Sequence, residues 1–226
     1  MIVFRNNKNR NENYILCNRK LENKINFFSA IDTINEYEKY AIISSKKKLQ
    51  SNNYIVNNSF KTKGKLGCNL SHQFLLQEIE DKYQHNVSPE WYIILEDDLL
   101  LEGTAKTINN YLEKLIINIY NYSPKTKYVQ LCIYDAFYSN QVKTKEIFEN
   151  TYQKINQYGT CAYMIHIDGI KRMNKLKPWN NNIDFIYNSL DKEFSSLASF
   201  NPYFKCQGQE DCYGSKKKLG SLIWNN

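Results

Sequence analysis

The chain has only 8 glycines and 4 prolines among its 226 residues, and they never gather into the Gly/Pro-rich stretch that separates domains. There is no internal repeat and no sharp change of composition, so a single domain over residues 1–226 is expected. Arginine is scarce as well: Arg5, Arg10, Arg19 and Arg172 are the only guanidinium groups, and lysine carries most of the +7 net charge. Phosphate and base recognition favours arginine's bidentate fork. Basic and aromatic residues form no known nucleic-acid module, so no nucleic-acid partner is expected. Heavy use of Asn, Lys, Ile and Tyr fits an AT-rich coding genome, such as that of a parasite or a large DNA virus.

Long apolar runs are missing too. None approaches the roughly 20 residues that span a bilayer, and "MIVFRNNKNRNEN" turns polar too early for a signal peptide. The expectation is a soluble, cytoplasmic protein without a membrane span. The six cysteines include no CxxC pair and no Cys/His set with zinc spacing, and no GxxxxGK[ST] loop is present. Cys132 and Cys161 lie in apolar runs and read as small core residues. Only Cys206 and Cys212 are close enough in sequence for a local disulfide, and reduced thiols are expected in a cytoplasmic compartment.

What is present is a well-filled core composition, 42% hydrophobic and 14% aromatic. Apolar strand-like runs ("MIVF", "INFFSAID", "WYIIL", "YVQLCIY", "TCAYMIHI") alternate with helical patterns ("NENYILCNRKL", Cys68 to about Lys82, "TINNYLEKLIINIY", "DGIKRMNKL", "NIDFIYNSL"). This alternation predicts an α/β fold with a mostly parallel sheet flanked by helices. Ligands in such sheets sit outside the carboxyl ends of the strands.

"WYIILEDDLL" ends an apolar strand at that position with Glu96, Asp97 and Asp98. Adjacent carboxylates repel and resist burial unless a cation or hydrogen-bond donors compensate them. On an extended strand Glu96 and Asp98 would share one side and Asp97 the other. Oxygen donors suit Mg²⁺ or Mn²⁺; the bland reading is a solvated turn capping the next helix. Upstream, "KGKLGCNLSH" places Gly64 and Gly67 where the chain would turn into a helix. Ser71 and His72 would then fall in its first turns, where free N–H groups favour anions. A helix cap and a packed histidine is the bland alternative. A Ser/His nucleophile is unattractive because adjacent helical side chains do not face each other.

Taken in order, "MIVF", the loop with Arg10, "FFSAID", "GKLGCNLSH", "WYIILEDD", "GTCAYMI" and "NNNIDF" resemble glycosyltransferase family 25, the lipopolysaccharide and procollagen galactosyltransferases. The likeness runs in register over about residues 1 to 205, and "GCxxSH" followed by "LEDD" is its most specific part. The N-terminal loop lacks the family's Asp/Arg-dense pattern, and the proline that often precedes the late Asp is displaced to Pro178.

The resemblance implies a single-domain GT-A-like, Rossmann-like nucleotide-sugar transferase fold. It implies transfer of galactose or glucose from UDP-galactose or UDP-glucose to a glycan or protein hydroxyl, dependent on Mn²⁺ or Mg²⁺ and inverting. Asp98 and Glu96 would hold the metal, with Asp97, Ser71, His72, Arg10, Thr160 and Tyr163 around the donor. Asp184 would be the general base, its bland reading being a helix N-cap. His166 is a weaker candidate base. The rival reading is an inactive nucleotide- or glycan-binding relative of the same fold.

Overall fold

The computed structural model describes residues 1–3, 7–22, 24–33, 63–85, 89–133, 145–155, 159–177, 179 and 181–206. In chain order these form β1 (Ile2–Val3), α1 (Lys8–Lys20), β2 (Phe28–Ser29), α2 (Lys63–His85), β3 (Trp91–Leu95) and β4 (Leu99–Leu101). There follow α3 (Ala105–Tyr122), β5 (Tyr128–Gln130), β6 (Glu146–Phe148), β7 (Thr151–Gln153) and β8 (Ala162–His166). The last elements are α4 (Ile167–Lys175), α5 (Ile183–Ser189), β9 (Leu197–Ser199) and β10 (Phe204–Cys206).

Six strands make the central sheet, in the order β3-β8-β5-β9-β7-β6. The sheet is mixed, which corrects the mostly parallel arrangement expected. Strand β8 lies between β3 and β5 and runs antiparallel to both; among the described strands of this sheet only β5 and β9 pair in parallel, as β1 and β2 do apart from it. β6 and β7 add an antiparallel hairpin at the edge. Two strands joined by a helix do share a direction here, since β3 and β5 both oppose β8, but they are not neighbours. A continuous apolar run such as "AYMIH" shows that a strand is covered on both faces and leaves its direction open.

Residues alternate between two cores along these strands. Leu95, Val129, Ala162, Met164 and Leu197 pack with Ile108, Leu115 and Ile119 of α3. Ile94, Tyr128, Tyr163 and Ile165 pack on the other face with Leu76 of α2, Ile170 and Met173 of α4, and Ile183 and Tyr187 of α5. This period of two puts helices over both sides of the sheet. No described helix is long and apolar enough to cross a membrane. Cys17, Cys68, Cys132, Cys161 and Cys206 are thiols; Cys212, Pro178 and the loop at 46–62 lie outside the described residues.

Helix α2 already runs at Lys63, so Gly64 and Gly67 lie inside it rather than at a turn leading into it. What Gly67 provides is close approach. A Cβ there would meet Thr33 Oγ1 at 2.7 Å and the Ile31 carbonyl at 2.8 Å. Gly67→Ala should therefore destabilise by about 1–3 kcal/mol, as overpacking does, despite alanine's roughly 1 kcal/mol advantage in a helix. Urea unfolding would measure it, and a more stable variant would show that the 31–33 segment yields freely.

Candidate active site

Strand β3 stops at Leu95. Glu96 makes one isolated parallel bridge to Ile2, and its carbonyl accepts from Leu99 N at 3.3 Å. Asp97 and Asp98 therefore occupy a tight turn before β4, which corrects the extended-strand geometry expected for the triplet. The turn sends the three carboxylates to three different sets of neighbours. It sits beside the start of β8, because Leu95 pairs with Ala162 and Glu96 N donates to Cys161 O at 2.8 Å.

Glu96 points to the face of the sheet covered by α2. Its Oε1 lies 3.0 Å from His72 Nε2 and accepts from Thr160 Oγ1 at 2.5 Å. The other imidazole nitrogen, Nδ1, lies 2.9 Å from Tyr163 Oη. Since a carboxylate only accepts, Nε2 carries the hydrogen toward Glu96. Burial raises the proton affinity of Glu96, but the His72 and Thr160 hydrogen bonds and the Arg10 charge outweigh it and hold the group below its ordinary pKa.

Asp97 turns to α1, where it forms a buried ion pair with the guanidinium of Arg10. Arg10 is thus a helical residue, only 8% exposed, and not part of a loop. Asp98 takes the third direction: its carboxylate, Cys161 Sγ and Cys206 Sγ offer ligand atoms all within 4.8 Å of one another. Among the described residues, its Oδ1 is buried without a hydrogen-bond partner. Burial, the Cys206 thiol and Glu96 push its pKa well above the ordinary value.

Asp184 is brought to the same place from α5. Its Oδ1 accepts from Gly159 N at 3.1 Å, while the next residue, Thr160, donates to Glu96. The two carboxylates thus flank one dipeptide. The N-cap of α5 is Asn182, so the capping role considered for Asp184 is corrected. Burial, then Glu96, raises the Asp184 pKa to about 6. Gly159 takes φ 112°, a region other residues enter only with strain, and its carbonyl accepts from Gln130 Nε2 at 3.2 Å.

Two candidates are placed differently. Ser71 and His72 lie well inside α2, not in its first turns, and Ser71 Oγ accepts from Ile31 N and donates to Gly67 O. That hydroxyl ties the end of β2 to the helix. His166 pairs with Trp91 at the opposite end of β3 from Glu96, caps α4 by accepting from Asp168 N, and is thereby set apart from the carboxylates.

Sequence reasoning missed Asn13 and Lys154. Asn13 Nδ2 donates to the carbonyls of Asp97 at 2.9 Å and Leu99 at 2.7 Å, pinning the turn. The signal lies in α1, whose buried residues Arg10, Asn13 and Cys17 follow helical spacing while Ile15 and Leu16 are exposed. Lys154, 2% exposed, donates to Asn188 Oδ1 and Asp191 Oδ1, and its charge opposes the rise in the Asp184 pKa. Nothing in its local sequence marks it.

Among the described residues, two donor groups could hold a cation. Asp98 presents an unpartnered carboxylate oxygen, and a cation carried by a diphosphate needs only one or two protein carboxylates. The two carboxylates expected to share an ion belong to separate donor groups. Among the described residues, Glu96 groups with Cys68 and His72, whereas Asp98 groups with Cys161 and Cys206.

The family model described as glycosyltransferase family 25 (LPS biosynthesis protein) matches residues 1–187 of this chain. No curated protein matches it.

Proposed function

The chain belongs to glycosyltransferase family 25, and from that premise we propose that it moves galactose or glucose from a UDP-sugar to a hydroxyl of a glycan or protein, with inversion. The observation that carries this reading is the pairing of Asp184 and Glu96 across Gly159–Thr160, with Asp184 tuned to about 6 and Glu96 held ionised. A general base works best when its pKa lies near the operating pH, and Asp184 meets that condition. Its carboxylate takes the acceptor proton as the hydroxyl attacks the anomeric carbon in line, and the bond from that carbon to the phosphate oxygen breaks to release UDP. His72 and Thr160 fix the Glu96 carboxylate on the donor side, and Tyr163 orients His72.

Asp98 would hold Mn²⁺ or Mg²⁺ against the diphosphate. A cation there supplies Lewis-acid neutralisation of the leaving group. The test is thermal stabilisation by UDP with and without Mn²⁺, in wild type and in Asp98→Asn. The wild type should gain stability from the pair together, and the Asn variant should fold normally and lose most of that gain. An undiminished shift in the Asn variant would remove Asp98 from donor binding. Sugar released from UDP-galactose against UDP-glucose then identifies the hexose, which one well-placed hydrogen bond is enough to decide.

A further inference from the structure

Oxygen is the minority donor around Asp98. Cys161 precedes β8 and Cys206 ends β10, 45 residues later in the chain, yet their sulfurs converge on this carboxylate within 4.8 Å. Cys161 is 1% exposed and Cys206 5%. A third buried cysteine, Cys132, has its thiol beside both. All three thiols belong to the core that packs with α3, on the opposite side of the sheet from His72.

We propose that Asp98, Cys161 and Cys206 form a binding site for a thiophilic divalent cation of the zinc class, with Cys132 as the adjacent thiol that completes or supports it.

Cysteines packed as small hydrophobes would explain the thiols but not the carboxyl group among them. A buried carboxyl oxygen with no donor is costly, and in native proteins it calls for a partner such as a cation. Soft thiolates select zinc-like ions over Mg²⁺ and Mn²⁺. Metal–sulfur bonds of about 2.3 Å in a tetrahedral site put sulfurs about 3.8 Å apart, so the observed grouping needs only a small contraction. Binding of such an ion releases the thiol protons, because the thiolate is the ligand.

The inference rests on these donor atoms and touches the transferase reading only through Asp98. Cd²⁺ is the probe, added to the full chain in the absence of nucleotide. One equivalent should produce a thiolate-to-metal charge-transfer band in the ultraviolet, and one equivalent of Zn²⁺ should remove it by competition. Cys161→Ser and Cys206→Ser should each weaken Cd²⁺ binding at least tenfold, and the double variant should lose the band. Asp98→Asn should weaken binding and keep a thiolate band. Cys68→Ser reports on the separate Cys68–His72–Glu96 group and should change nothing.

If the serine variants fail to fold, alkylation of wild type answers the question: Zn²⁺ should slow labelling of Cys161 and Cys206, read peptide by peptide, and leave Cys17 unchanged. Absence of a band in wild type, or a band that survives the double variant, overturns the site. Neither result bears on UDP binding with Mn²⁺, which tests the transferase reading by itself.

Discussion

Asp184→Asn should lower glycosyl transfer by about 10²- to 10⁴-fold, the usual contribution of a positioned general base, while UDP affinity stays near wild type. Asparagine keeps the acceptor oxygen for Gly159 N, and the cap of α5 belongs to Asn182, so folding should survive. A second signature separates a tuned base from a structural residue. Burial and the Glu96 charge raise the pKa of Asp184 from the ordinary 3.8 to about 6. The folded state then holds this proton more tightly than the unfolded chain, and stability declines as pH rises from about 4 to about 6. Above that range the wild type carries the full cost of the buried charge, at most about 3 kcal/mol at 1.36 kcal/mol per pKa unit. Asp184→Asn should escape it, melting higher than wild type at about pH 8 and close to wild type at about pH 4. In the wild type, kcat/KM should rise with pH through about 6. Transfer near wild-type level in the Asn variant would remove Asp184 from the mechanism, and an unchanged stability difference between the two pH values would refute the raised pKa.

The same carboxylates show how much of the site could be read from the chain. The place of "LEDD" at the end of an apolar strand was legible, because strand ends are local features and the triplet is contiguous. The directions of its side chains depended on a turn closed by Leu99 N and on partners 87 and 64 residues away, Arg10 and Thr160. The helices and the strands β1, β2, β3, β5 and β8 were legible as runs and periods, whereas the short strands β4, β6, β7, β9 and β10 were not anticipated, and the insertion of β8 between β3 and β5 is a long-range pairing that no period encodes. Helix α1 was misleading in a more instructive way. Its apolar residues Ile15 and Leu16 face out, because the buried side is a polar stripe serving the Asp97 turn. The cysteine group was invisible for a similar reason: Cys132, Cys161 and Cys206 have no motif spacing, and only the ends of β5, β8 and β10 bring them together.

That polar stripe carries the second large effect. Arg10→Leu should destabilise the protein by about 3–5 kcal/mol, because it leaves the Asp97 carboxylate, in a residue only 4% exposed, without its guanidinium. The cost comes from taking the guanidinium away from a buried carboxylate and not from lost packing, so a double variant should recover much of it. Arg10→Leu with Asp97→Asn removes both charges, and its stability should lie closer to wild type than that of either single variant. Chemical denaturation of all four proteins closes the cycle, and the double variant should lose much less stability than the two single losses added together. Asn13 still holds the Asp97 and Leu99 carbonyls in every variant, so the turn should persist. The family resemblance instead placed Arg10 around the donor, and that role predicts a different pattern. UDP affinity would fall in both Arg10→Leu and the double variant, with stability almost unchanged. If Arg10 acts by holding the turn, the loss of UDP affinity in Arg10→Leu should shrink in the double variant along with the loss of stability.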